Sequence, residues 1–84
     1  MTELKDTVKL MNSDDYKDRF EAEFAQLRIR HEKLRNMIVR YKAGTLDFTP
    51  ACPVELLEYQ LKAMSEYLNY LRIRAEIENI ELVG

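Results

Sequence analysis

The chain has 84 residues, of which 13 are basic and 15 acidic, for a formal net charge of -2 with 46% hydrophobic residues. That length allows one small domain, the near balance of charge argues against a nucleic-acid binder, which carries a basic excess, and the apolar share argues against global disorder. One cysteine, Cys52, and one histidine, His31, exclude an intrachain disulfide and a Cys/His metal site within one chain.

The start, Met1-Thr2-Glu3-Leu4-Lys5, is polar, and no apolar signal core follows it. No run of about 18 apolar residues could span a membrane. A free cysteine without any Asn-x-Ser/Thr acceptor fits a reducing, cytoplasmic setting. Ordering each residue costs roughly 1.5 kcal/mol, which a core this small barely offsets. With disulfides and metals excluded, self-association is the remaining route to stability.

Residues 1–12 read as an N-terminal arm, mobile or ordered by a neighbouring subunit. Leu4, Val8 and Met11 have amphipathic spacing, but so short a helix is marginal alone. Residues 13–84 read as a helical hairpin. Helix 1 is expected over about 14–42, capped by Asn12 or Ser13, with Asp14, Asp15 and Asp18 where the helix dipole favours acids. Its apolar seam, Tyr16, Phe20, Phe24, Leu27, His31, Leu34, Ile38, Tyr41, alternates spacings of three and four. Ala43-Gly44 stops it, glycine being suited to a left-handed C′ position.

The loop, 43–52, alternates Leu46 and Phe48 with polar residues, as if tucking two apolar side chains over the hairpin end. Pro53 suits a first helical position, so helix 2 is expected over about 53–78. One seam of helix 2, Leu57, Leu61, Met64, Leu68, Leu71, Ala75, can pair with helix 1. A second, Tyr59, Ala63, Tyr70, Ile73, Ile77, Ile80, has nothing to cover it in a lone hairpin. A helix apolar over so wide an arc is normally buried on two sides, which makes these six residues the candidate oligomer interface. The fold class is therefore all-α: a long antiparallel two-helix hairpin assembling into an oligomeric bundle. With the turn near residues 47 and 48, position i should face roughly 95 − i. That places Arg72 and Arg74 near Glu21 and Glu23, and Arg28 near Glu66. Residues 78–84 read as a frayed end or a tail packing on a partner.

No catalytic group stands out. Cys52 and His31 project about 18 Å apart along the hairpin, too far for a nucleophile and its base. His31-Glu32-x-x-Arg35 lacks the second histidine of a zinc-protease helix. Asp14, Asp15, Asp18, Glu21 and Glu23 gather where a helix N-terminus wants acids. Between Arg28 and Lys42, six basic residues stand against Glu32 alone, a local charge of +5. Such a stretch either complements the helix dipole or forms an anion site, where arginines hold phosphates and aromatics stack on bases. The candidate ligand residues on the second reading are Arg28, Arg30 and Arg35, with Tyr67 and Tyr70. Leu27-Arg28-Ile29-Arg30-x-Glu32 recurs as Leu71-Arg72-Ile73-Arg74-x-Glu76, so both helices carry similar arginine-bearing surfaces. Gly44 and Gly84 are the only glycines, too few for a phosphate-binding glycine loop, and no metal or cofactor is implied.

The segment Thr45-Leu46-Asp47-Phe48-Thr49-Pro50-Ala51-Cys52-Pro53, followed by Leu56-Leu57 and Gln60-Leu61-Lys62-Ala63-Met64, resembles a family of short proteins of crAss-like gut phages and related Clostridia prophages. In helix 1, Tyr16, Phe20, the Leu27–Arg30 stretch and Leu34 match its pattern. The architecture is also similar to the phage "sponges", helical hairpins that assemble into hexamers and sequester cyclic-nucleotide signals of the CBASS and Thoeris defences. The likeness implies a non-enzymatic anti-defence homo-oligomer holding a cyclic oligonucleotide or cyclic ADP-ribose type of signal. The alternative is an interaction module that inhibits or scaffolds a host or phage protein through the tyrosine-rich face of helix 2.

Overall fold

A computed structural model describes residues 4–12 and 14–82. Three helices follow in chain order: α1, Leu4–Met11; α2, Tyr16–Ala43; and α3, Val54–Glu78. No strand occurs among the described residues. The two long helices form an antiparallel hairpin whose greatest extent is 43 Å, and α1 folds back along α2.

Local chemistry sets the helix ends, with small departures from expectation. The cap of α2 is Asp15, whose side chain accepts from the Lys17 N–H at 2.9 Å. Asn12 instead closes α1, donating its N–H to the Val8 carbonyl, and Ser13 lies outside the described residues. At the far end Gly44 takes φ 77°, and its N–H reaches Tyr41 O while that of Thr45 reaches Arg40 O. This paired closure requires a left-handed residue, which glycine adopts at little cost. Pro53 is extended, with ψ 139°, so α3 begins one residue later than expected. In the loop, Leu46 is half-buried, but Phe48 is exposed and does not cover the hairpin end.

The core sits at the end of the hairpin away from the loop. Phe20 and Phe24 of α2 meet Leu68, Leu71 and Ala75 of α3, positions that both expected seams contain. The register near 95 − i holds: His31 meets Ser65, and Arg72 and Arg74 lie over the rings of Phe24 and Phe20. The arginines thus face aromatic rings where carboxylates were expected. Glu23 instead accepts from the Tyr67 hydroxyl. Arg74 donates to Tyr16 Oη at 2.8 Å and pairs with Glu78 on its own helix.

Two further segments complete this end, and both depart from expectation. Residues 4–11 form a helix held by their own chain. Its buried anchor is Thr7, 0% exposed, whose hydroxyl donates to Leu4 O and accepts from Gln26 Nε2 at 2.8 Å. Val8 and Met11, the apolar stripe of the expectation, are about half exposed. The buried Ala22, Ala25 and Ile29 of α2 lie on the same face as Gln26, turned toward α1. At the other terminus Asn79 turns left-handed, φ 56°, and the Ile80 N–H closes on Ala75 O. The chain then folds back, so that Ile80 joins the core and Leu82 packs against it. The partner of this tail is its own hairpin.

Candidate functional site

The residues that gather chemistry lie in a groove along the middle of the hairpin. Arg28, His31, Glu32 and Arg35 of α2 line one wall, and Ser65, Leu68 and Arg72 of α3 the other, around some 330 Å³. The spacing explains the gathering. Offsets of three, four and seven on α2, and of three and seven on α3, place each set on one helix face. The antiparallel register then sets the two faces opposite each other, with Leu68 as the buried floor.

Three arginines stand in this groove against one carboxylate, Glu32. Arg28 Nε is buried without a hydrogen-bond acceptor, a donor that leaves desolvation uncompensated. His31 Nε2 and Ser65 Oγ lie 2.7 Å apart. The Ser65 hydroxyl donates to Leu61 O at 3.0 Å, so the histidine is the donor to Ser65. That leaves Nδ1 as the ring's second polar atom. The Arg72 guanidinium lies over the Phe24 ring, 5.4 Å from its centre, a cation–π contact that uses no N–H donor. Guanidinium N–H forks match phosphate and carboxylate oxygens. Three guanidinium groups against one carboxylate leave the groove with an excess of positive charge and of N–H donors.

Of the ligand residues named from sequence, Arg28 and Arg35 meet here. Arg30 is exposed outside the groove. Tyr67 is tied to Glu23; that hydrogen bond, then burial, then the glutamate's charge raise its pKa, with Arg74 opposing. Tyr70 lies on the outward face of α3, 63% exposed. His31, Ser65 and Arg72 also line the groove, though they were not among the ligand residues named from sequence. The register rule contained their signal, since it sets His31 beside Ser65, and Arg72 is seven residues beyond Ser65 on the same face.

The expected interface residues divide as well. Tyr59, Ala63, Tyr70, Ile73 and Ile77 are exposed along α3, Ile77 at 75%. Ile80 does not share that face. It is buried in the core because the chain turns at Asn79, so the outward stripe ends at Ile77.

A sequence model of the Sequestin family matches residues 14–77, which takes in all of α2, the loop and nearly all of α3. The chain belongs to the Sequestin family. Every residue of the groove falls inside the matched span, and α1 and the folded-back tail fall outside it. No curated protein and no solved structure matches the chain. Among the described residues no group of three His, Cys, Asp or Glu could hold a metal ion, and no helix is long and apolar enough to cross a membrane.

Proposed function

We propose that this Sequestin-family chain is a non-catalytic binding protein that captures a nucleotide signal, of the cyclic oligonucleotide or cyclic ADP-ribose type, in the grooves of a homo-oligomer. The observation that carries this reading is the groove itself. Three arginines converge around a buried Arg28 Nε that has no acceptor, and phosphate oxygens supply acceptors of the required charge and geometry. In this reading Arg28 and Arg35 neutralise phosphate from α2 and Arg72 from α3, while His31 adds a polar ring atom. The family's name denotes sequestration, and holding a signal needs tight binding without a nucleophile or base. The likeness to phage sponges supplies the setting, a phage counter-defence acting in the host cytoplasm.

Isothermal calorimetry with a panel of cyclic di- and trinucleotides and cyclic ADP-ribose isomers tests the reading. One ligand binding at a whole-number ratio per chain, lost in Arg28→Ala, is the expected result. No heat and no melting shift from any member of the panel would end it. A second reading draws on a different observation, the exposed stripe of Tyr59, Tyr70 and Ile77: an interaction module that inhibits or scaffolds a host or phage protein. Native mass spectrometry separates the two. A closed homo-oligomer with a phosphate-bearing adduct favours capture, and a bare monomer with that stripe free favours the module.

A further inference from the structure

The hairpin leaves one regular feature of α3 without a use. Leu56, Tyr59, Ala63, Tyr70, Ile73 and Ile77 recur at alternating spacings of three and four, with Glu66 in the remaining place at the midpoint. All of these side chains are exposed. At 3.6 residues per turn the stripe lies roughly 150° around the helix from Leu68, Leu71 and Ala75, so α2 cannot reach it. The tail packs on the core cluster and not on this stripe. A three-four alternation held from residue 56 to residue 77 is the pattern of a helix that meets another helix in a left-handed crossing.

The stripe is complementary to a copy of itself in one orientation. Set a second α3 antiparallel about Glu66, and Leu56 faces Ile77, Tyr59 faces Ile73, and Ala63 faces Tyr70. Every apolar position meets an apolar partner, and the smallest side chain receives one of the largest. A parallel copy in register sets Tyr59 on Tyr59, Tyr70 on Tyr70 and Ala63 on Ala63, which alternates crowding with gaps. The area is also adequate. The six apolar residues expose on the order of 700 Å² per chain in all, so complete closure of the stripe approaches the ~800 Å² per partner of a standard interface.

We propose that the outward face of α3 is the docking surface for a second copy of the chain, in an antiparallel pair whose two-fold axis passes at Glu66. This rests on the self-association half of the functional reading and not on the ligand. The groove residues Ser65 and Arg72 lie about 145° around α3 from the stripe, so both grooves stay open in the pair. The two Glu66 carboxylates meet at the axis. Their like charge weakens the pair, as a lone polar residue in a helix seam does, while marking its register.

Disulfide trapping tests the geometry in the full chain with Cys52→Ser as background. Glu66 and Tyr59 are both exposed, so replacing them leaves the core intact. Under mild oxidation Glu66→Cys is expected to crosslink to its own copy. Tyr59→Cys alone is not, because the two copies of position 59 lie about 21 Å apart along the axis. The double variant Tyr59→Cys, Ile73→Cys restores crosslinking. If Tyr59→Cys crosslinks as readily as Glu66→Cys, the packing is parallel and the proposal is overturned; no crosslink at any of the three also overturns it. Sedimentation equilibrium gives a second readout: Glu66→Gln is expected to tighten the pair about fivefold, and a weaker pair contradicts the axis. Calorimetry on the crosslinked protein keeps the two ideas apart. Absent nucleotide binding with intact crosslinking removes the ligand and leaves the pair.

Discussion

The two ends of the hairpin are built from the same two helices and differ in almost every other respect. At the end away from the loop, α1 lies along one side of α2 and residues 80–82 fold over the α2–α3 seam. Phe20, Phe24, Leu71, Ala75 and Ile80 are buried there. At the loop end Ile38 alone is buried among the described residues, Val39, Tyr41, Phe48 and Leu56 are about half exposed, and Lys42–Glu58 is a solvent-facing ion pair at 3.5 Å. Two helices touch along one line and bury only one stripe each, whereas a third and a fourth segment are needed to enclose side chains on several sides. The groove sits between these regimes. It is close enough to the core to have a buried floor at Leu68 and far enough from it to stay open.

The sharpest way to break this contrast is to cut the same kind of side chain from each end. Leu71→Ala, at a position 1% exposed, is expected to lower unfolding free energy by about 2–5 kcal/mol. Val39→Ala, at a position 55% exposed, should cost under about 0.5 kcal/mol. Urea denaturation of both variants decides it, and equal losses would mean that burial does not set the cost at the two ends. The basic run offers a second cut. Arg28→Ala, inside the groove, should weaken nucleotide binding by about 1.5–3 kcal/mol. Arg40→Ala, near the loop and outside the groove, should leave it almost unchanged, as read by calorimetry.

Smaller effects sharpen the picture. Gly44→Ala meets no atom within 4 Å of the added Cβ, so the left-handed φ alone sets its cost, about 1–2 kcal/mol by thermal or chemical melts. The smallest effect is a pH dependence at Tyr67. Its hydrogen bond to Glu23 raises the phenol's pKa above the ordinary 10.0. The folded state therefore prefers the protonated phenol. That stabilisation is fully present below pH 10 and is lost as pH climbs through the raised value. Ultraviolet titration should show a late-ionising tyrosine that Tyr67→Phe removes, and the variant should flatten the fall of stability above pH 10.

Much of the fold was legible because it depends on periodicity. The three-four seams of α2 and α3, the stop at Gly44 and the register near 95 − i all follow from spacing and turn chemistry among near neighbours. The short segments were less legible. Thr7 gains its place only by meeting Gln26 nineteen residues away, and an eight-residue helix lacks the propensity to declare itself. Ile80 continues the spacing of Ile73 and Ile77, so it reads as part of the outward stripe until Asn79 turns the chain back. The site divided in the same way. Arg28 and Arg35 share a face by simple spacing, whereas Arg72 and Ser65 join them only through the pairing of α2 with α3.

The amino-acid sequence by itself determined two long helices, their turn, the faces they present to each other and a second apolar stripe left on α3. These are set by contacts within a few residues of each other, where spacing and propensity act directly. Only the tertiary structure decided that residues 4–11 are a helix against α2, that the tail closes over the core, and that Arg28, Arg35 and Arg72 surround one groove. Each of those outcomes depends on burial between segments distant in the chain, where the winning contact depends on which surfaces the other helices have already covered.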